Sequence, residues 1–132
     1  MELVFLSPAR LRPTEYHDPQ AATALRDKIV QERHWTAPPL VHRGCLAILD
    51  GHHRHQAAIA LDLAQIPCLL VSYQEDDIEL GTWQSTSSIT PQEVLRVAQT
   101  GRLFPFKTTR HRMRPLPLSF AIPLEMLQAV LH

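Results

Sequence analysis

Apolar positions in this chain fall into short runs whose period changes several times. Residues 3–6 (LVFL) read as a brief strand, and PARLRP at 8–13 reads as an extended connector because two prolines exclude a helix interior there. Residues 14–18 then form a loop. Asp18 before Pro19 has the order of a cap and a first helical turn, and Ala21, Leu25 and Ile29 recur every four residues, so a helix is expected over 19–33. Ala37-Pro38-Pro39 stops it. Apolar runs at 40–42 and 45–49, on either side of Arg43-Gly44, predict a β-hairpin.

Beyond Asp50-Gly51, alanines and aliphatic residues up to Leu63 predict a second helix over 52–63. Continuous aliphatic character at 66–73 predicts a buried strand, followed by an acidic turn at 74–77 and a further strand at 78–83. Thr90-Pro91-Gln92-Glu93 is a capping box and Gly101 the stop of a third helix, whose apolar positions are Val94, Leu95 and Ala98. Residues 102–117 read as a basic loop punctuated by prolines, and 123–131 as a short final helix. No repeat or low-complexity tract interrupts the pattern. One α+β domain over 1–132 is expected, a small mixed β-sheet with helices packed on it.

Composition narrows the function. A chain of 132 residues with 45% apolar content can build a core without disulfides or a structural metal. Thirteen basic residues balance thirteen acidic ones, which argues against general nucleic-acid binding. Cys45 and Cys68 sit in apolar runs without C-x-x-C spacing and read as core thiols of a cytosolic protein. Glu2 and Pro8 are foreign to a signal peptide, and no run approaches the roughly 18 apolar residues of a membrane span, so a soluble cytoplasmic protein is expected.

The chemistry concentrates where the apolar run Ile48-Leu49 turns through Asp50-Gly51 into a helix opening with His52, His53 and Arg54. A helix start has free N–H groups and the positive end of its dipole, glycine admits close approach, and a guanidinium matches phosphate oxygens. Asp50 suits either a cap or a cation that bridges phosphates. The alternative is a plain cap and turn with the histidines on a solvated face. His52 and His55 share a helix face, but no third ligand follows at fixed spacing, so magnesium held partly by a nucleotide fits better than a transition metal. The segment 102–114, with Arg102, Lys107, Arg110, Arg112 and Arg114, is also suited to nucleic-acid phosphates.

The string I-L-D-G-H-H-R, the alanine-rich helix after it, and Ile66-Pro67 leading to Val71-Ser72-Tyr73 resemble the ParB/sulfiredoxin superfamily, most closely its free L-serine kinase branch. Phe104-Pro105-Phe106-Lys107-Thr108-Thr109-Arg110-His111 is similar to that branch's second signature, F-P-x-K-T-T-R-H. The resemblance implies a ParB/sulfiredoxin-like fold and transfer of a phosphoryl group from ATP or ADP, with Mg2+, to the hydroxyl of free serine. It implies Glu15 as the base, Asp50 as metal ligand and His111 beside the transferred group. Gly51, His52, His53, Arg54, Lys107 and Thr108 would bind the nucleotide's phosphates, and Trp83, Thr109 and Arg110 the amino acid.

Glu15 also reads as an exposed loop carboxylate, and Trp83 and Trp35 as core aromatics. Sulfiredoxin chemistry is not expected, because His52 stands where those members carry a nucleophilic cysteine. The helix-turn-helix domain of the partition proteins is not expected either. The segment between the two signatures is shorter than in the serine-kinase branch, which leaves open a different acceptor or a site completed by a second subunit, as in a homodimer. The rival reading is a non-catalytic nucleotide-binding regulator that contacts a protein or nucleic-acid partner.

Overall fold

The computed structural model describes residues 1–76, 78–83, 88–113 and 120–128. Strand β1 (Glu2–Leu6) is followed by a 3-10 turn at Pro8–Arg10, then α1 (Pro19–Glu32), β2 (His34–Trp35), β3 (Leu40–His42) and β4 (Ile48–Asp50). After α2 (His52–Ala60) come β5 (Ile66–Val71), β6 (Ile78–Thr82), α3 (Pro91–Thr100), β7 (Thr109–Met113), β8 (Ile122–Pro123) and a 3-10 turn at Leu124–Leu127.

A mixed four-stranded sheet in the order β1-β5-β3-β4 forms the centre, with β5 parallel to β3 and the other neighbours antiparallel. All six residues of β5 are buried. Its alternation explains why: Ile66, Cys68 and Leu70 join one core with Ile29 of α1 and Ala57 and Ala58 of α2, whereas Leu69 and Val71 join another with Val94 and Ala98 of α3. A strand covered on both faces reads as a continuous aliphatic run. The pairs β2/β8 and β6/β7 form two further antiparallel ladders.

The caps formed as their residue types require. Asp18 accepts from Gln20 N at 3.0 Å to start α1, and Thr90 accepts from Glu93 N at 3.3 Å to start α3, which ends on Gly101 at φ 74°.

Several expectations are corrected. The 8–13 connector contains a 3-10 turn, because proline's fixed φ suits its first position. The hairpin's second strand is Ile48–Asp50 rather than 45–49: Leu46 takes a left-handed conformation (φ 59°), and the turn is closed by His42 N donating to Ala47 O. Helix α2 stops at Ala60 instead of 63, since left-handed Asp62 reverses the chain and folds Leu63 into the core. The expected strand ends at 73 and 83 shorten to Val71 and Thr82. The 102–117 loop contains β7, and the expected final helix is β8 with a 3-10 turn, its last positions lying outside the described residues.

Cys68 is buried and burial pushes its thiol up to about 12, while Cys45 is only half-buried; both are free. Among the described residues, no helix is long and apolar enough to cross a membrane.

Candidate functional site

The junction from β4 to α2 turns on Gly51, at φ 106° and ψ 28°. A Cβ there would lie 2.8 Å from Pro39 Cβ and 3.0 Å from Pro39 Cα, so the chain passes this point only as glycine. No side chain caps α2, and His55 N is the first amide used inside the helix, donating to Gly51 O. The N–H groups of its first turn remain for an anion. Asp50 lies immediately before this turn. Its carboxyl is raised by the protein crowded around it, against the Gly51 N–H and the charges of Arg54 and His53.

A cavity of about 690 Å³ opens over the junction. Every residue that the resemblance assigns to catalysis, nucleotide or acceptor lines it except Thr108, so the two signature strings meet in space although they lie far apart in the chain. Strand β7 accomplishes this. Pairing with β6 sets Arg110 opposite Gly81 and His111 opposite Leu80.

Glu15 is buried, only 8% exposed, rather than a free loop carboxylate. Its backbone forms a parallel bridge with Phe104, supported by Tyr16 N donating to Phe104 O at 2.8 Å and Phe104 N donating to Thr14 O at 2.9 Å. One carboxylate oxygen accepts from Thr108 N and from Thr109 N (3.4 Å), the other from Thr109 Oγ1 (3.2 Å). Burial raises its pKa, the Thr108 and Thr109 donors oppose the rise, and the charge of Asp50 adds to it. Thr108 therefore acts on Glu15 from behind the cavity wall.

The motif histidines face the Glu15 loop. Thr14 N donates to His52 Nε2 and Asp18 N to His53 Nε2, each at 3.0 Å. Burial, with smaller repulsion from neighbouring histidines, pushes His52 down to about 3, and burial lowers His53 as well. Each Nε2 accepts a main-chain N–H through its lone pair, as a neutral imidazole does. What these positions offer an anion is their main-chain N–H; the fixed cation beside it is Arg54.

His111 meets the Tyr73 hydroxyl at 2.6 Å through Nε2, and burial pushes it down to about 4. Trp83 is 52% exposed at the cavity, with the Arg110 guanidinium 4.5 Å and Lys107 Nζ 5.8 Å from its ring centre. Trp35 is wholly buried in the core, anchoring as expected. Thr14 and Tyr16 were not singled out from the sequence, and Tyr73 and Phe106 entered only as members of the two strings, without a role. Tyr73 alone had a legible signal, a hydroxyl at the end of a buried strand that needs a partner.

No protein-family model matches the chain. A ParB-like protein of Sulfolobus acidocaldarius is 30% identical over 97 residues, which cover 72% of this chain and 46% of that protein. An ATP-dependent L-serine kinase of Desulfurococcus mucosus is 38% identical over 63 residues, 45% of this chain and 25% of the kinase. This chain thus matches less than half the length of either relative. The solved structure of a free serine kinase in complex with AMP superposes with a TM-score of 0.86 over 95% of this chain and 93% of its own, at 15% identity. That likeness establishes the fold, a small mixed sheet with packed helices. The ParB-like resemblance carried by the two strings is borne out by these matches.

Proposed function

We propose that this chain, ParB-like in sequence and in fold, is a nucleotide-dependent phosphotransferase whose acceptor is a small hydroxyl compound such as free L-serine. One observation carries the reading: a buried carboxylate, Glu15, and an uncapped helix start, at Gly51, line the same cavity.

Phosphoryl transfer asks the protein for positioning, charge neutralisation and an acceptor for the hydroxyl proton. In this reading the first-turn N–H groups of His52 to Arg54, beside the close approach that Gly51 allows, hold the phosphates of ATP or ADP together with the Arg54 guanidinium and Lys107. The acceptor's hydroxyl oxygen attacks the terminal phosphorus, the bond from that phosphorus to the nucleotide's bridging oxygen breaks, and the hydroxyl proton passes to Glu15. A raised pKa makes Glu15 a better proton acceptor than a free glutamate.

Arg110, stacked on Trp83, suits the acceptor's carboxylate, Thr109 holds the Glu15 carboxylate at the acceptor's edge of the cavity, and His111 lies beside the reacting phosphoryl group. Magnesium would neutralise phosphate charge. Asp50 fits as its protein ligand, because this ion commonly takes one or two carboxylates and fills its shell from phosphates and water, and no three-residue metal cluster occurs among the described residues.

Incubating the protein with Mg2+, ATP or ADP and free serine, followed by phosphorus NMR, tests the reaction. Transfer should appear, and Glu15→Gln should lower turnover by about 10²–10⁴-fold while nucleotide still binds. Equal rates for the two proteins would remove Glu15 as base. A spectrum without a new phosphoester from serine or related hydroxyl compounds would overturn the proposal.

A further inference from the structure

The catalytic loop is bracketed. Glu15 lies between two main-chain amides that end on consecutive histidines: Thr14 N–H on His52 Nε2 and Asp18 N–H on His53 Nε2, each at 3.0 Å. A ring nitrogen that accepts a backbone N–H carries no proton, so each ring is in its Nδ1–H form. Thr14 is wholly buried, and its Oγ1 donates to Ile48 O at 2.8 Å while lying 3.3 Å from His52 Nε2. The loop is thereby tied to the start of β4 and to the first turn of α2, the two elements that present Asp50 and the open amides. Successive helix positions point in different directions around the axis, which lets two adjacent imidazoles reach the two ends of one loop.

We propose that His52 and His53 are positioning residues, whose imidazoles hold the 14–18 loop, and with it the Glu15 carboxylate, in register with the start of α2. Their side chains are committed to this loop; only their main-chain N–H groups face the phosphates. The inference rests on Glu15 as base. Its chemistry is general: a base displaced by about 1 Å can lose on the order of a hundredfold in rate with no contact to the substrate changed.

Three proteins test it: the parent chain, His52→Phe, which keeps a ring but has no acceptor, and His52→Gln, whose amide oxygen offers an acceptor at similar reach. Amide hydrogen exchange, followed by NMR without ligand, should show Thr14 N–H protected in the parent, about tenfold faster in His52→Phe and protected again in His52→Gln. Turnover should follow the same order, with kcat falling about a hundredfold in His52→Phe and largely recovered in His52→Gln. Calorimetric nucleotide affinity should stay within about twofold throughout, because the backbone donors are unchanged. His53→Phe and His53→Gln should do the same at Asp18 N–H.

Unchanged Thr14 exchange in His52→Phe overturns the clamp, as does a loss of nucleotide affinity in both His52 variants, which would make the imidazole a phosphate contact. If the parent transfers no phosphate, the proposed reaction fails, and the exchange measurement still decides the clamp.

Discussion

Replacing Gly51 with alanine should damage this protein more than any other single methyl addition at a glycine. Two costs combine. At φ 106° an alanine occupies backbone space that L residues avoid, which costs about 1–3 kcal/mol. The new methyl would also stand 2.8 Å from Pro39 Cβ and 3.0 Å from its Cα, and overpacking of this kind costs about 1–3 kcal/mol. Pro39 cannot readily retreat, being fully buried and accepting from Leu69 N at 3.0 Å within the central sheet. Together the loss is about 2–6 kcal/mol, or a melting temperature lower by on the order of 10 °C.

Gly101→Ala is the internal control. It also has positive φ, at 74°, but nothing within 4 Å of the added methyl, so it bears only the backbone cost. Urea denaturation of the parent and both variants, with midpoints and m-values, separates the terms: the excess loss in Gly51→Ala measures the Pro39 overlap. If Gly51→Ala and Gly101→Ala agree within about 0.5 kcal/mol at equal m-values, the close approach to Pro39 does not exist as described.

Two further outcomes follow from the site. Because burial raises the Glu15 pKa, the acidic limb of the kcat/KM profile should lie above the ordinary glutamate range and vanish in Glu15→Gln. The same shift bears on stability: the folded state holds this proton more tightly than the unfolded state, so the stabilisation is complete below the unfolded pKa and is lost as pH rises through the folded one. Glu15→Gln should flatten that dependence in urea midpoints taken across pH, and an unaltered profile would contradict the burial argument. Trp83 is half exposed under Arg110 whereas Trp35 is wholly buried, so ligand binding should alter only the red-shifted part of the tryptophan emission. Trp83→Phe should abolish the response and leave the Trp35 signal; a response that survives would place the binding site elsewhere.

What could be read from the chain was what local chemistry decides. Asp18-Pro19, Thr90-Pro91 with Glu93, and Gly101 set helix ends through contacts within a turn, and each formed where expected. Strand β7 escaped notice because its inward side is Thr109, His111 and Met113, with Arg110 and Arg112 between them, a pattern with little apolar contrast. Its existence depends on pairing with β6, some thirty positions earlier, which no window of sequence contains. Glu15 was legible as a residue but not in its state. The burial and the Thr108 and Thr109 donors that define it arrive from the far part of the chain. The two histidines announced themselves by their spacing after glycine, but their bonding partners are backbone amides, which leave no trace in residue identity.

The Glu15 oxygens find their donors 93 and 94 positions downstream. A polypeptide still emerging from the ribosome has already made its glutamate, its glycine elbow and its arginine, yet the chamber they line lacks a wall until Thr109 to His111 have been synthesised and zipped onto their neighbouring strand. Order of synthesis therefore matters to the site: the chamber cannot assemble in a fragment that stops short of that strand.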